Sequence, residues 1–220
     1  MRTPVNRKKL QDHLSYSWWK YVLLIVLAWI GWSIVFSVTS YRPPEEKKVI
    51  LGVYSPASSA NAEAYMTEVQ RIHMPDMERV EAMYILPDQQ YGDMILLTRV
   101  ATRDCDIYVL PTAQFQSWAS QGACQPLEVV APYVVAELEG AGVGLSRGYR
   151  ARENTSDRHL YGIPCRDLPG ADHLLGMNAD DMYICVFHDT GNDENVLKFL
   201  SIFVHDLLNE PPTTPTDLAQ

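Results

Sequence analysis

The sequence predicts one N-terminal transmembrane helix followed by a small three-layer α/β domain with a mainly parallel sheet. Three observations carry this: an uncharged apolar run from Tyr21 to Tyr41, an alternation of β-branched runs with helical periodicities after Val49, and a charge balance that changes sign between the two parts.

The membrane segment comes first. At about 1.5 Å rise per residue, the uncharged run covers roughly the 30 Å thickness of a bilayer's hydrocarbon core. Trp18, Trp19 and Tyr21 stand at one end and Tyr41 at the other, where amphipathic rings favour the headgroup region, and Arg7, Lys8, Lys9 and Lys20 crowd the N-terminal side. The expected organisation is a cytoplasmic basic tail over 1–17, a helix over 18–40, a linker over 41–48, an extracytoplasmic domain over 49–209 and a disordered tail over 210–220. The protein is then a single-pass cell-membrane protein with its N-terminus in the cytoplasm. A cleaved signal peptide, with Ser37 and Thr39 before the cut, is the competing reading, although the apolar run exceeds a signal h-region of roughly 7 to 15 residues. A buried core helix fits poorly with so uniform an apolar surface ahead of Pro43-Pro44-Glu45-Glu46-Lys47-Lys48.

Charge limits the domain's partners. The chain has 220 residues and a formal net charge of −9; through Arg42 it holds six basic residues and one acid, which leaves 12 basic and 26 acidic side chains beyond, a balance of −14. A domain this acidic is a poor partner for nucleic acid or for anionic lipid.

Val49 to Tyr54 reads as a strand closed by Ser55-Pro56, and Ser58 or Ser59 can cap a helix with Ala64, Met66, Val69 and Ile72 at apolar positions. Val80 to Leu86 is a second strand. Gln90 to Thr102 then brings Met94, Ile95, Leu97 and Val100 onto one helical face. Asp106 to Leu110 is a third strand, stopped at Pro111, with Thr112 placed to cap a helix through Phe115, Trp118 and Ala119. Such alternation calls for right-handed crossovers and helices on both sheet faces. Leu160 to Ile163 and Met182 to Phe187 are further strand-like runs. Asn192 to Leu208 is a helix whose Val196, Phe199, Leu200, Phe203, Val204 and Leu207 form a core-facing stripe. Gly140 to Thr155 reads as an exposed excursion, and its Gly140, Gly142 and Gly144 lack the strand-then-helix setting of a dinucleotide site.

In an open parallel sheet, ligands gather beyond the carboxyl ends of the strands. That nominates Tyr54, Ser55, Ser58, Ser59, Gln114, Trp118, Arg166 and Asp167. Ser58 and Ser59 offer hydroxyls and helix N-terminal amides, or serve only as caps; Trp118 can stack on a sugar ring, or pack in the core; Arg166 and Asp167 can hold a polar ligand, or pair with each other. The histidines form no metal-ligand motif and no G-x-S-x-G elbow is present, so neither a metal, a cofactor nor an enzyme activity is expected. Cys105, Cys124, Cys165 and Cys185 all fall in the exported part, with two disulfides and four buried free thiols as the open readings. Cys105 with Cys124 sits at one expected sheet edge and would close a loop of about 19 residues, stabilising by on the order of 3 kcal/mol; Cys165 with Cys185 is the remaining pair.

The order of elements resembles the N-terminal lobe of extracellular solute-binding proteins of ABC importers, the type-2 periplasmic-binding fold. The resembling residues are VILGVYSP (Val49 to Pro56), RDCDIYVLPTAQFQSWASQGACQPLE (Arg103 to Glu128), YGIP (Tyr161 to Pro164) and GNDENVLKFLSIFVHDLL (Gly191 to Leu208). In that family the chain crosses after the GIP segment into a second lobe, and the ligand sits between lobes. Here the short stretch from Pro164 to Met182 leaves no room for one. The resemblance therefore implies a non-catalytic module derived from a single solute-binding lobe, which recognises a small-molecule ligand or a partner, such as a permease or another membrane complex. The alternative is a structural subunit of a membrane complex whose helix, through Gly31 and Ser33, makes the specific contacts.

Overall fold

The computed structural model describes residues 7–39, 44–56, 59–87, 91–153, 155–187 and 191–209. Ser58, the end of the expected membrane helix at Ser40, most of the linker's first half and the tail from 210 lie outside them. The chain divides into two units, Met1–Arg42 and Pro43–Gln220.

The first unit is one helix, α1 (Arg7–Thr39). Its 20-residue stretch Trp18–Ser37 is long and apolar enough to cross a membrane, and none of it is buried. Trp18 and Trp19 meet edge to face, with ring centroids 5.8 Å apart. Apolar side chains surround this helix on every side, which in a chain of this kind fits a lipid environment or an export signal.

The second unit opens with a 3-10 turn at Glu45–Lys47, inside the stretch expected as linker. Lys47 donates its backbone N–H to Pro44 O and accepts from Glu78 N at 2.9 Å, so this turn is tied into the α/β unit. The elements then run β1 (Lys48–Tyr54), α2 (Ala60–Ile72), β2 (Arg79–Ile85), α3 (Gly92–Thr102), β3 (Ile107–Pro111), α4 (Thr112–Ser120), α5 (Leu127–Val130), α6 (Pro132–Gly140), β4 (Tyr149–Ala151), β5 (Arg158–Leu160), β6 (Ile163–Pro164), α7 (Ala171–Leu175), β7 (Met182–Val186) and α8 (Asp193–Asn209). Five strands form one sheet in the order β2-β1-β3-β7-β6, and β4 pairs with β5 as a separate antiparallel hairpin.

The three predicted β-α alternations become three parallel strands, β1 with β2 and β1 with β3. β7 alone runs the other way, antiparallel to both β3 and β6, which makes the sheet mixed and mainly parallel. A parallel return needs a crossover of a dozen or more residues across one face. The stretch between β6 and β7 instead spends its length on α7, which docks on α2 through Ser59 Oγ donating to Leu174 O at 3.0 Å.

Alternation along each strand sorts the core into two clusters, one per sheet face. Val49, Leu51 and Val53 of β1, Ile107 and Val109 of β3, and Met182, Ile184 and Val186 of β7 join α2, α6, α7 and α8. Ile50 and Tyr54, Tyr108 and Leu110, and Tyr183, Cys185 and Phe187 join α3 and α4 on the other face. Helices thus cover both faces, and all six apolar positions expected on α8 are buried. Asp106 joins the strands at the sheet's amino edge: its Oδ2 accepts from Ile50 N at 2.8 Å, and its carbonyl accepts from Phe187 N at 3.1 Å.

Four local expectations change. Among the described residues of 140–155 the chain is no free excursion, since Leu145 and Gly148 are buried and β4 forms there. Thr112 does not cap α4; it begins the helix, and its hydroxyl pairs with the Asp181 carboxylate. On α2 the buried positions are Ala62, Tyr65, Met66 and Val69, while Ile72 is exposed. Most of the α3 stripe is turned outward: Met94, Ile95 and Leu97 are 61%, 42% and 54% exposed, while Leu96 is buried and Val100, half-buried, packs against the core.

Of the two open readings of the cysteines, the structure shows the free thiols: all four are free and buried, and the pairings Cys105 with Cys124 and Cys165 with Cys185 are not supported. Cys165 belongs to the α8 face and Cys185 to the α4 face, so the sheet lies between them. The Cys105 thiol lies 4.0 Å from Met83 Sδ over β2, while Cys124 pairs through its backbone with Phe187 beyond β7. Burial pushes the Cys105 thiol up to about 12 and raises those of Cys165 and Cys185, which keeps them protonated and unreactive at neutral pH.

Candidate functional site

β1 and β3 end side by side, and the helices that border their carboxyl ends are α3 and α4. The two helices frame a groove of about 420 Å³ on the α4 face, lined by Asp93, Leu96 and Leu97 from α3 and by Ala113, Gln114, Ser117, Trp118 and Gln121 from the α4 segment. The groove opens at the carboxyl ends of the strands, where Asp93 and Gln114 stand in the first turns of α3 and α4, and runs back along α4 to Trp118 and Gln121.

The groove is built around one carboxylate. Asp93 sits in the first turn of α3, where the helix dipole favours negative charge. Its Oδ1 accepts from Tyr54 Oη at 3.3 Å and from Gln114 Nε2 at 3.2 Å, while Oδ2 has no protein donor among the described residues. Burial first, and the Asp93 charge second, raise the Tyr54 phenol, which therefore stays a neutral donor. Gly92 permits this close approach: a Cβ there would stand 2.9 Å from both Leu86 O and Tyr54 Oη. Trp118 is half-buried, its ring edge-on to Phe187 at 6.1 Å, and it contributes a flat apolar wall. The result is a polar end with two donors and an acceptor, beside an indole.

Of the residues nominated from sequence, Tyr54, Gln114 and Trp118 are brought together here. Ser55 is buried and donates its N–H to Ile85 O at 3.0 Å, a sheet contact. Ser59 is the cap of α2, accepting from Ala62 N at 3.3 Å. Arg166 and Asp167 lie past β6, away from the groove lining, and do not pair with each other. Arg166 stands 3.9 Å from Asp180, and Asp167 accepts from Gly144 N at 3.1 Å. Asp93, Ser117 and Gln121 were not foreseen. Asp93 was legible only as a helix-start acid after Tyr91-Gly92, and its role depends on a β1 tyrosine far away in sequence.

A second concavity of about 400 Å³ lies at the opposite edge, where Glu46, Asp76, Asp193 and Glu194 gather near the start of α8. Its polar contacts serve the fold: Asn192 Nδ2 donates to Lys48 O at 2.7 Å, and Asn195 Nδ2 to Asn192 Oδ1 at 2.7 Å. Among the described residues no group of three or more His, Cys, Asp or Glu side chains could hold a metal ion.

No protein-family model matches the chain, and no curated protein matches it. Among solved structures, one that it resembles is the extracellular solute-binding protein family 1 from Alicyclobacillus acidocaldarius subsp. acidocaldarius DSM 446, at 20% identity and a TM-score of 0.36, over 57% of this chain and 29% of that one.

Proposed function

We propose that the chain is a membrane-anchored, non-catalytic recognition module whose α/β unit lies outside the cytoplasm and binds a small polar ligand in the α3–α4 groove. The observation that carries this reading is the convergence of Tyr54 and Gln114 on Asp93 beside the Trp118 ring. Paired polar groups next to an indole suit a hydroxylated or amine-bearing ligand with one flat apolar face, the chemistry of a sugar or a small amino acid derivative. A groove open on one side encloses less of a ligand than a cleft between two lobes, so affinity in the micromolar range or weaker is expected.

The test is thermal unfolding of the full chain in neutral detergent, against panels of monosaccharides, amino acids and short peptides. A ligand at 100 times its dissociation constant stabilises by about 2.7 kcal/mol. One class should raise the melting temperature of the native chain by several degrees and leave Trp118→Ala and Asp93→Asn unmoved. A response retained in both variants, or no response to any panel, sinks this reading.

A second reading, a structural subunit of a membrane complex, draws support from the outward-facing Met94, Ile95 and Leu97 of α3. Exchange of α1 for an unrelated membrane helix separates the two. Partners lost from co-purification would favour the subunit, while an intact ligand response would favour recognition.

A further inference from the structure

We propose that the β4–β5 hairpin is a second binding site, which takes a phosphate-class oxyanion between the guanidinium groups of Arg150 and Arg158. Four of the twelve basic side chains beyond Arg42 fall between Arg147 and Arg158, in a unit dominated by carboxylates. Where acids outnumber bases by more than two to one, the arginines would be expected to find acidic partners. Among the described residues, however, Arg147, Arg150, Arg152 and Arg158 form no ion pair, although Arg71, Arg79, Arg99 and Arg166 do.

The geometry is specific. Arg150 Nη1 donates to Tyr149 O at 2.8 Å, and Arg158 Nη2 donates to the same oxygen at 3.1 Å. Two guanidinium groups thus meet on one carbonyl, reached from strand positions on opposite faces of the hairpin, and neither makes an ion pair with a carboxylate among the described residues. Like charges so placed repel, and an oxyanion between them removes the repulsion.

Aromatic rings hold the arginines in place. Arg150 lies over Phe115 at 5.7 Å and Arg152 over Tyr161 at 5.5 Å, and Arg152 Nε is buried without a hydrogen-bond partner. The nearby carboxylate, Glu128, is already engaged: Oε1 meets His159 Nδ1 at 2.7 Å and Oε2 accepts from Leu160 N at 2.8 Å. Glu153 and Asp157, in the loop joining the strands, make no ion pair with these arginines. The acidity of the whole unit opposes a long polyanion but is screened beyond about 10 Å at 0.1 M salt, so a compact phosphate is the better occupant. Planar forks that bind oxyanions bidentately explain why arginine rather than lysine fills all four positions.

The experiment titrates the full chain in phosphatidylcholine nanodiscs with inorganic phosphate and pyrophosphate, against sodium chloride at matched ionic strength, and reads hydrogen exchange over Tyr149 to Leu160. Saturable protection by pyrophosphate is expected in the native chain, with apparent affinity at least tenfold weaker in the Arg150→Gln and Arg158→Gln single variants, each checked for a native melt in chloride. Nanodiscs containing phosphatidylglycerol, without added phosphate, form the other arm. Protection there identifies a headgroup as the source, whereas protection by pyrophosphate in both nanodisc types identifies a free phosphate compound. No protection in either arm, or protection undiminished in both variants, overturns the proposal.

Discussion

Lysine at both Leu27 and Ile30 is expected to move the chain from the membrane pellet to the soluble fraction. These positions lie near the middle of Trp18–Ser37, and their side chains are 59% and 44% exposed, with no acidic side chain in that stretch to pair with an ammonium. A lysine at the centre of a membrane helix costs about 3 kcal/mol, and the lost apolar side chain adds a few tenths, so the pair opposes insertion by roughly 6 kcal/mol or more. Lysine at Thr39 is the control, because a long side chain at a helix end reaches the headgroups. Carbonate extraction followed by immunoblotting reads the result. Retention of the double variant in the washed pellet would show that something other than α1 holds the chain there.

Phe203→Ala carries the largest expected cost within the α/β unit. Phe203 is fully buried on α8, stacked on Phe199 at 5.6 Å between centroids and tilted against Tyr65 at 6.0 Å. Tyr65 is in turn fixed by its hydroxyl, which donates to Asp206 Oδ2 at 2.8 Å, so the α2–α8 contact cannot easily close over the vacated space. Truncation of a buried phenylalanine costs about 3 to 5 kcal/mol. In a chain of this size, that lowers the melting temperature by roughly 10 °C or more. Leu97→Ala, on the outward side of α3, should stay within about 0.5 kcal/mol. Equal melting temperatures for the two variants, followed by circular dichroism, would contradict the assigned core.

The comparison of α8 with α3 shows what a sequence can reveal about such a fold. Both helices carry an apolar periodicity. On α8 the stripe from Val196 to Leu207 is continuous over about three turns, and all of it is buried, because a long helix can face the sheet only one way. On α3 the apolar residues fall at adjacent positions, Met94 to Leu97, and periodicity alone does not tell which side meets β2. Strand direction was similarly half legible. Runs separated by a helix predicted β1, β2 and β3 as parallel neighbours, whereas β7's reversal depends on where α7 docks, a tertiary contact with Ser59 that no local pattern encodes.

The same distinction governs the sites. Tyr54 and Gln114 are legible because strand ends and first helical turns are where an open sheet presents side chains, whereas Trp118, in the last turn of α4, is legible only as an aromatic on the same helix. Asp93, which joins them, required the packing of α3 against Tyr54. Composition alone leaves the cysteines open between disulfides and free thiols, because only the packing shows that Cys165 and Cys185 join different core clusters. The arginines of β4 and β5 are visible as composition, but the register, Arg150 with His159 and Ala151 with Arg158, starts Arg150 and Arg158 on opposite faces, so their meeting on Tyr149 O depends on how both side chains wrap the hairpin.

The central claim is that the groove between α3 and α4 is displayed outside the cytoplasm by a membrane anchor, and the buried state of every native cysteine gives it a clean test. Ala113 lines the groove and is exposed, so Ala113→Cys adds one reactive thiol to a chain whose own thiols are covered. Intact cells treated with a membrane-impermeant maleimide should label Ala113→Cys and leave the native chain unlabelled. Labelling that appears only after the cells are broken would place the groove in the cytoplasm and contradict the account.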